Sequence, residues 1–146
     1  MFGSTPRGVG AYAKVGLETS VAAASPHKLI VMLYDGALVA VMSALAHMKS
    51  GNTAEKGKAI SKAIQIIDNG LRASLDKEAG GQIAESLDAL YEYMSARLLT
   101  ANIENKPEIL EEVRGLLADL RDTWNQIGSS PAAQPQAQKK PAFASV

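Results

Sequence analysis

From Leu29 to Ala46 the chain carries one charge, Asp35, in an otherwise apolar run. That much apolar surface has to leave water, which limits the run to a membrane span or the central helix of a helical core. It is long enough to cross a bilayer. Asp35 near its middle would cost about 2.5–3.5 kcal/mol on insertion, and apolar stripes elsewhere in the chain offer it partners in water. The chain is therefore expected not to be membrane-embedded. Lys14 and Glu18 interrupt the segment before it, which argues against a signal peptide.

The start of this helix is legible. Ser25 can accept a hydrogen bond from a free backbone N–H of the first turn. Pro26 suits the first helical position, where no N–H is needed. A helix is expected from Pro26 to about Met48. Ile30, Leu33, Tyr34, Ala37, Val41, Ala44 and Met48 recur at spacings of three and four and form one face. Val31, Leu38, Met42 and Leu45 form a second apolar row beside it. Lys28, Asp35, Ser43 and His47 are left as a narrow polar strip, so the apolar arc is wider than one core face needs.

Ser50-Gly51-Asn52 reads as a turn. A second helix is expected over about Ala54 to Leu75, on Ile60, Ala63, Ile64, Ile67, Leu71 and Leu75. Asp76 to Gly81 reads as a break. A third helix runs from Gln82 to about Ile103 on Ile83, Leu87, Leu90, Met94, Leu98 and Ala101, with Tyr91 beside the stripe. Asn105-Lys106-Pro107-Glu108 reads as a helix start, with Asn105 as cap and Glu108 reaching back to it. The fourth helix extends to about Ile127 on Val113, Leu116, Leu117, Leu120 and Trp124. No strand pattern appears. Four amphipathic helices with short connections predict an all-α, antiparallel four-helix bundle over residues 25–127. Residues 1–24 are expected to form a short mobile segment that docks on it. The Pro-, Ala-, Gln- and Ser-rich residues 128–146 are expected to be a disordered tail.

Composition closes off several chemistries. Fifteen Lys and Arg balance fifteen Asp and Glu, so no basic footprint marks a nucleic-acid partner. Cysteine is absent, which removes thiolate chemistry and fits a reducing compartment. His27 and His47 lie about 30 Å apart along one helix and cannot share a metal within one copy of the chain. No Glu-x-x-His pair and no phosphate-loop motif occurs. No catalytic residue, metal site or cofactor is expected, and the chain reads as a non-enzyme. Asp35 is expected on the polar strip or paired with a cation such as Arg97. Arg72, Arg97, Arg114 and Arg121 read as solvated or ion-paired faces. His47 followed by Lys49 is similar to the phosphoacceptor of histidine phosphotransfer bundles, the alternative reading. Lys49 is two residues on and points to another side of the helix. What remains is excess apolar surface, which predicts a protein that takes a partner helix or an extended peptide in a groove.

Several motifs in order carry a specific resemblance. Tyr12 precedes Ser25-Pro26-His27-Lys28-Leu29-Ile30 and then Met32-Leu33-Tyr34-Asp35-Gly36-Ala37. Lys62-Ala63-Ile64-Gln65-Ile66-Ile67-Asp68-Asn69-Gly70-Leu71 follows, with Ser74-Leu75-Asp76-Lys77-Glu78 and Gly80-Gly81-Gln82-Ile83-Ala84 after it. Leu90-Tyr91-Glu92-Tyr93-Met94, Arg97-Leu98, Ala101-Asn102, Glu111-Glu112-Val113, Leu116-Leu117 and Trp124 complete the series. Over about residues 10–127 the chain resembles the flagellar secretion chaperones of the FliS family.

That resemblance implies a cytoplasmic helical bundle that binds the disordered C-terminal region of flagellin. Binding would stop premature polymerisation and keep flagellin ready for the flagellar type III export apparatus. It implies a second partner, the cytoplasmic domain of the export-gate membrane protein. Val31, Leu38, Met42 and Tyr34 are the expected contributors to the flagellin groove, the alternative for Val31, Leu38 and Met42 being that they face other helices of the same bundle. Val9 and Tyr12 are the expected residues of an N-terminal gate that also docks on the export gate. A free apolar face could pair two copies into a homodimer when cargo is absent.

Overall fold

Ser25 caps the first helix as its sequence dictates: the Lys28 N–H donates to Ser25 Oγ at 3.1 Å, and Pro26 occupies the first turn. The computed structural model of the chain describes residues 25–128. Val9, Tyr12, the expected docking segment and all but the first residue of the expected tail lie outside them. Helix α1 spans Pro26–Ser50 and ends on Gly51, at φ 79°. Glycine occupies this left-handed position without a Cβ penalty, and its N–H reaches carbonyls of the last turn.

Helix α2, Thr53–Gln65, continues without interruption into a π-helical segment, Ile66–Arg72. Asp76 caps α3, Lys77–Glu104, by accepting from the Ala79 N–H at 3.0 Å. The predicted break falls at Gly81, whose φ of 56° and ψ of −130° belong to glycine alone. A helical turn precedes it, so α3 begins at Lys77 rather than Gln82. Helix α4 spans Pro107–Gly128. Asn105 does not cap α4 as expected. It ends α3 at φ 56°, because a two-residue connection needs a left-handed residue to reverse the chain and Asn tolerates that conformation.

Helix α1 packs against α2 and α4, while α3 lies diagonally across the core and meets α4, α2 and the π segment. Side-chain links fix the antiparallel order. His27 at the start of α1 donates from Nε2 to the Trp124 carbonyl near the end of α4. Ser95 of α3 donates to Asp68 of the π segment at 2.9 Å, and Arg97 of α3 donates to Glu112 of α4 at 2.9 Å. Lys56, only 5% exposed, donates to the Asn102 carbonyl at 3.1 Å and to Asn105 Oδ1 at 3.0 Å. Its charge thus sits at the C-terminal, electronegative end of α3. Val41, Ile60, Ile67, Met94, Leu98, Leu110, Val113 and Leu117 fill the centre. The architecture is the all-α four-helix bundle that the periodicity predicts, with no strand among the described residues.

Candidate functional site

By length and composition α1 could cross a membrane. In the fold its apolar width has another use. A helix wedged between two neighbours needs one stripe for each. Val31 and Leu45 of the second row are buried, and Leu38 is half-buried against the core. Only Met42 of that row, 55% exposed, faces outward. Tyr34 is fully buried.

The open surface of α1 is a third line. Met32, Asp35, Val39, Met42 and Ala46 follow one another at spacings of three and four, which keeps them on one side of the helix. Val39 is 67% exposed; Ala46 is exposed and Met32 partly so. Lys28 and Lys49 flank the seam at its two ends, both exposed. Val39 has no place in either apolar row read from the sequence. The alternating three-and-four spacing from Met32 to Ala46 is the signal that marks it.

Asp35, the one charge in the seam, is tied down. Arg121 of α4 donates from Nε to its Oδ1 at 2.8 Å, and that carboxylate beside it holds the Arg121 guanidinium above its ordinary pKa. The expected partner Arg97 is on α3, diagonal to α1, and pairs instead with Glu112. The four arginines read as paired or solvated faces all have carboxylate partners: Arg72 with Asp68 and Asp88, and Arg114 with Glu111, complete the set.

Beneath the seam, the Tyr34 and Tyr91 hydroxyls hydrogen-bond to each other across the diagonal of the bundle. Burial pushes the Tyr91 phenol up to about 12. Burial and the neighbouring Tyr91 push Tyr34 up further, against a hydrogen bond from Trp124 that acts the other way. Neither is poised for acid–base work near neutral pH. His47 Nδ1 accepts from the Asn52 amide at 3.4 Å, within the turn that ends α1. No cluster of three metal-ligating side chains occurs among the described residues. An apolar cavity of about 90 Å³ opens between Ile30, Leu75, Leu87 and Trp124 at the end of the bundle where α1 begins. Among the described residues the arrangement offers apolar contact.

Known proteins resemble this chain over most of its length. The profile of the family described as flagellar protein FliS matches residues 8–131. A flagellar secretion chaperone FliS of Salmonella typhimurium is 50% identical over 130 residues, covering 89% of this chain and 96% of its own length. The protein of the same name in Escherichia coli is 44% identical over 126 residues, covering 86% and 93%. The Pseudomonas aeruginosa chaperone FliSB is 45% identical over 116 residues, covering 80% and 91%.

Proposed function

The chain belongs to the FliS family of flagellar export chaperones, which are not enzymes, and we propose that its client is flagellin, held by the C-terminal region. The observation that carries this reading is the seam on α1, where Val39 and Met42 stand exposed, with no helix over them among the described residues. A client segment that is disordered when free would lay apolar residues along it and fold partly into helix. Ordering that segment takes about 2–5 kcal/mol from the gross interaction, which moderates affinity and suits a cargo that must be let go. Met42 makes direct contact and Leu38 forms the edge of the groove. Val31 and Tyr34 act from beneath, by fixing the rotation of α1.

Holding the C-terminal region keeps flagellin from polymerising in the bacterial cytoplasm, where the chaperone works. The loaded complex docks on the cytoplasmic domain of the export-gate membrane protein. Residues 1–24, with Val9 and Tyr12, join the bundle at Ser25 and partly cover the seam when it is empty. Two empty copies can pair through the same face.

The test is co-purification with full-length flagellin and with flagellin lacking its C-terminal segment. Binding of the first and loss of the second are expected; equal retention of both would reject the reading. Hydrogen exchange of residues 1–24, with and without a flagellin C-terminal peptide, checks the gate. Unchanged protection there would remove it from the scheme.

A further inference from the structure

We infer that the trough between α2 and α3 is a second docking surface, suited to an acidic amphipathic helix. It is formed by two contiguous depressions of about 590 and 400 Å³ that share Ser61, Gln65 and Asn102. No residue of α1 lines either depression, so the surface is separate from the seam assigned to the client. Along α2 it extends from Gly57 to Gln65, about 12 Å of helix, and then along the π segment to Asn69.

Its two walls differ in chemistry. On the α3 wall Asn102 lines both depressions and Leu99, 48% exposed, lines one; Ile103, 78% exposed, is one turn beyond Leu99 and extends the apolar edge past them. The α2 wall is basic. Lys62 has no carboxylate partner among the described residues. Lys58 has Glu55 at 3.3 Å, in a pair whose two side chains are 76% and 53% exposed and which therefore holds the lysine weakly. Gly57 in the same wall is a helix-interior glycine with nothing within 4 Å of where a Cβ would stand. Such a glycine disfavours the helix, and no packing inside the bundle calls for it. It leaves the wall low enough for another backbone to approach.

Charge also sets a direction. The lysines stand at one end of the trough, and Asp68, which also pairs with Arg72 and accepts from Ser95, lines the other. A docked helix would place its electronegative C-terminus and its acidic residues at Lys58 and Lys62, and its N-terminus toward Asp68. It would run antiparallel to α2, with leucine-like residues on Leu99 and Ile103. The partner is thus a helical segment with an apolar stripe and an acidic last turn.

The probe is a synthetic amphipathic helix of about three turns, with leucines spaced three and four apart and glutamates in its last turn. A control peptide has lysines in place of the glutamates. Each is titrated into the full-length chain while amide shifts are followed. The acidic peptide is expected to bind and to shift Ser61, Gln65, Leu99 and Ile103. The lysine peptide is expected to leave them still. Lys58→Glu with Lys62→Glu, and separately Ile103→Ser, are expected to weaken binding about tenfold or more with unchanged melting and undiminished flagellin capture. Shifts confined to α1, equal binding of the two peptides, or full affinity in the lysine variants would overturn the assignment. Flagellin capture is read on the same samples, so failure of the client reading is seen independently.

Discussion

The Tyr34 and Tyr91 hydroxyls are each other's hydrogen-bond partners inside the core. Removing one leaves a buried polar group short of a partner, whereas removing both leaves less to satisfy. Tyr34→Phe is expected to lose about 1–2 kcal/mol in denaturant unfolding, and the double change with Tyr91→Phe to lose less than the sum of the two single changes. Equal additivity would show that the pair contributes nothing as a pair. The same burial predicts a response to alkali. The unfolded phenols ionise at an ordinary value of 10.0, while Tyr91 is held up to about 12 and Tyr34 above it. The folded state binds more protons than the unfolded state in that window, so the contribution of these two phenols to stability is constant below pH 10 and falls from there upward. Phenolate absorbance of Tyr34 and Tyr91 should appear only with unfolding. Asp35 teaches a complementary lesson. Its ion pairing was readable, because a lone carboxylate in an apolar run needs a cation, but its partner is Arg121 and not Arg97. Which cation lies within reach depends on which helices are neighbours.

Within the elements, two glycines give opposite expectations. A Cβ on Gly70, in the π segment, would come within 2.9 Å of the Leu33 side chain of α1, whereas one on Gly115 of α4 would meet nothing within 4 Å. Gly115→Ala is expected to stabilise by about 0.4–1 kcal/mol through the unfolded chain. Gly70→Ala is expected to destabilise, because it forces α1 and the π segment apart or moves Leu33. Urea midpoints for the pair decide it. The π segment has no sequence signal: Ile67 and Leu71 keep an ordinary spacing of four, and only the close approach at Gly70 marks the place. The α1 seam is tested at this scale too. Val39→Asp with Met42→Asp is expected to leave the melting temperature within a few degrees, since exposed substitutions usually cost about 0.5 kcal/mol or less, while abolishing flagellin capture. Unfolding of that variant would return both residues to the core. The two apolar rows of α1 were legible as rows, and the line through Val39 has a spacing that marks it, but its staying open was not legible. A row described only as apolar does not say whether a neighbour covers it.

For the whole molecule, the helices are linked at their edges by charge. Asp88 of α3 is held by Arg72 at 2.8 Å and by Lys77 at 3.1 Å, and these bonds hold its carboxyl below the usual range. Glu112 of α4 is held by Tyr93 and Arg97 of α3 and is likewise depressed. Both groups contribute stability that is present above their ordinary values of 3.8 and 4.5 and is lost as pH falls through the folded-state values. The melting temperature should therefore drop as pH falls below about 5. Asp88→Asn with Glu112→Gln should flatten that slope; an unchanged slope would assign the acid sensitivity to other carboxylates.

The sequence by itself determined the helix boundaries set by Ser25, Pro26, Gly51 and Pro107, the number of helices and the family. Caps, punctuation and period are local: each depends on a few consecutive residues and on backbone geometry common to all chains. The tertiary structure alone decided that Val31 and Leu45 turn inward while Val39 and Met42 stay open, that Arg121 reaches Asp35, and that Asn105 closes α3. These depend on how far each helix is rotated about its axis and which helices lie side by side. A period of 3.6 fixes the faces of a helix relative to one another, but only packing against its neighbours fixes which way they point.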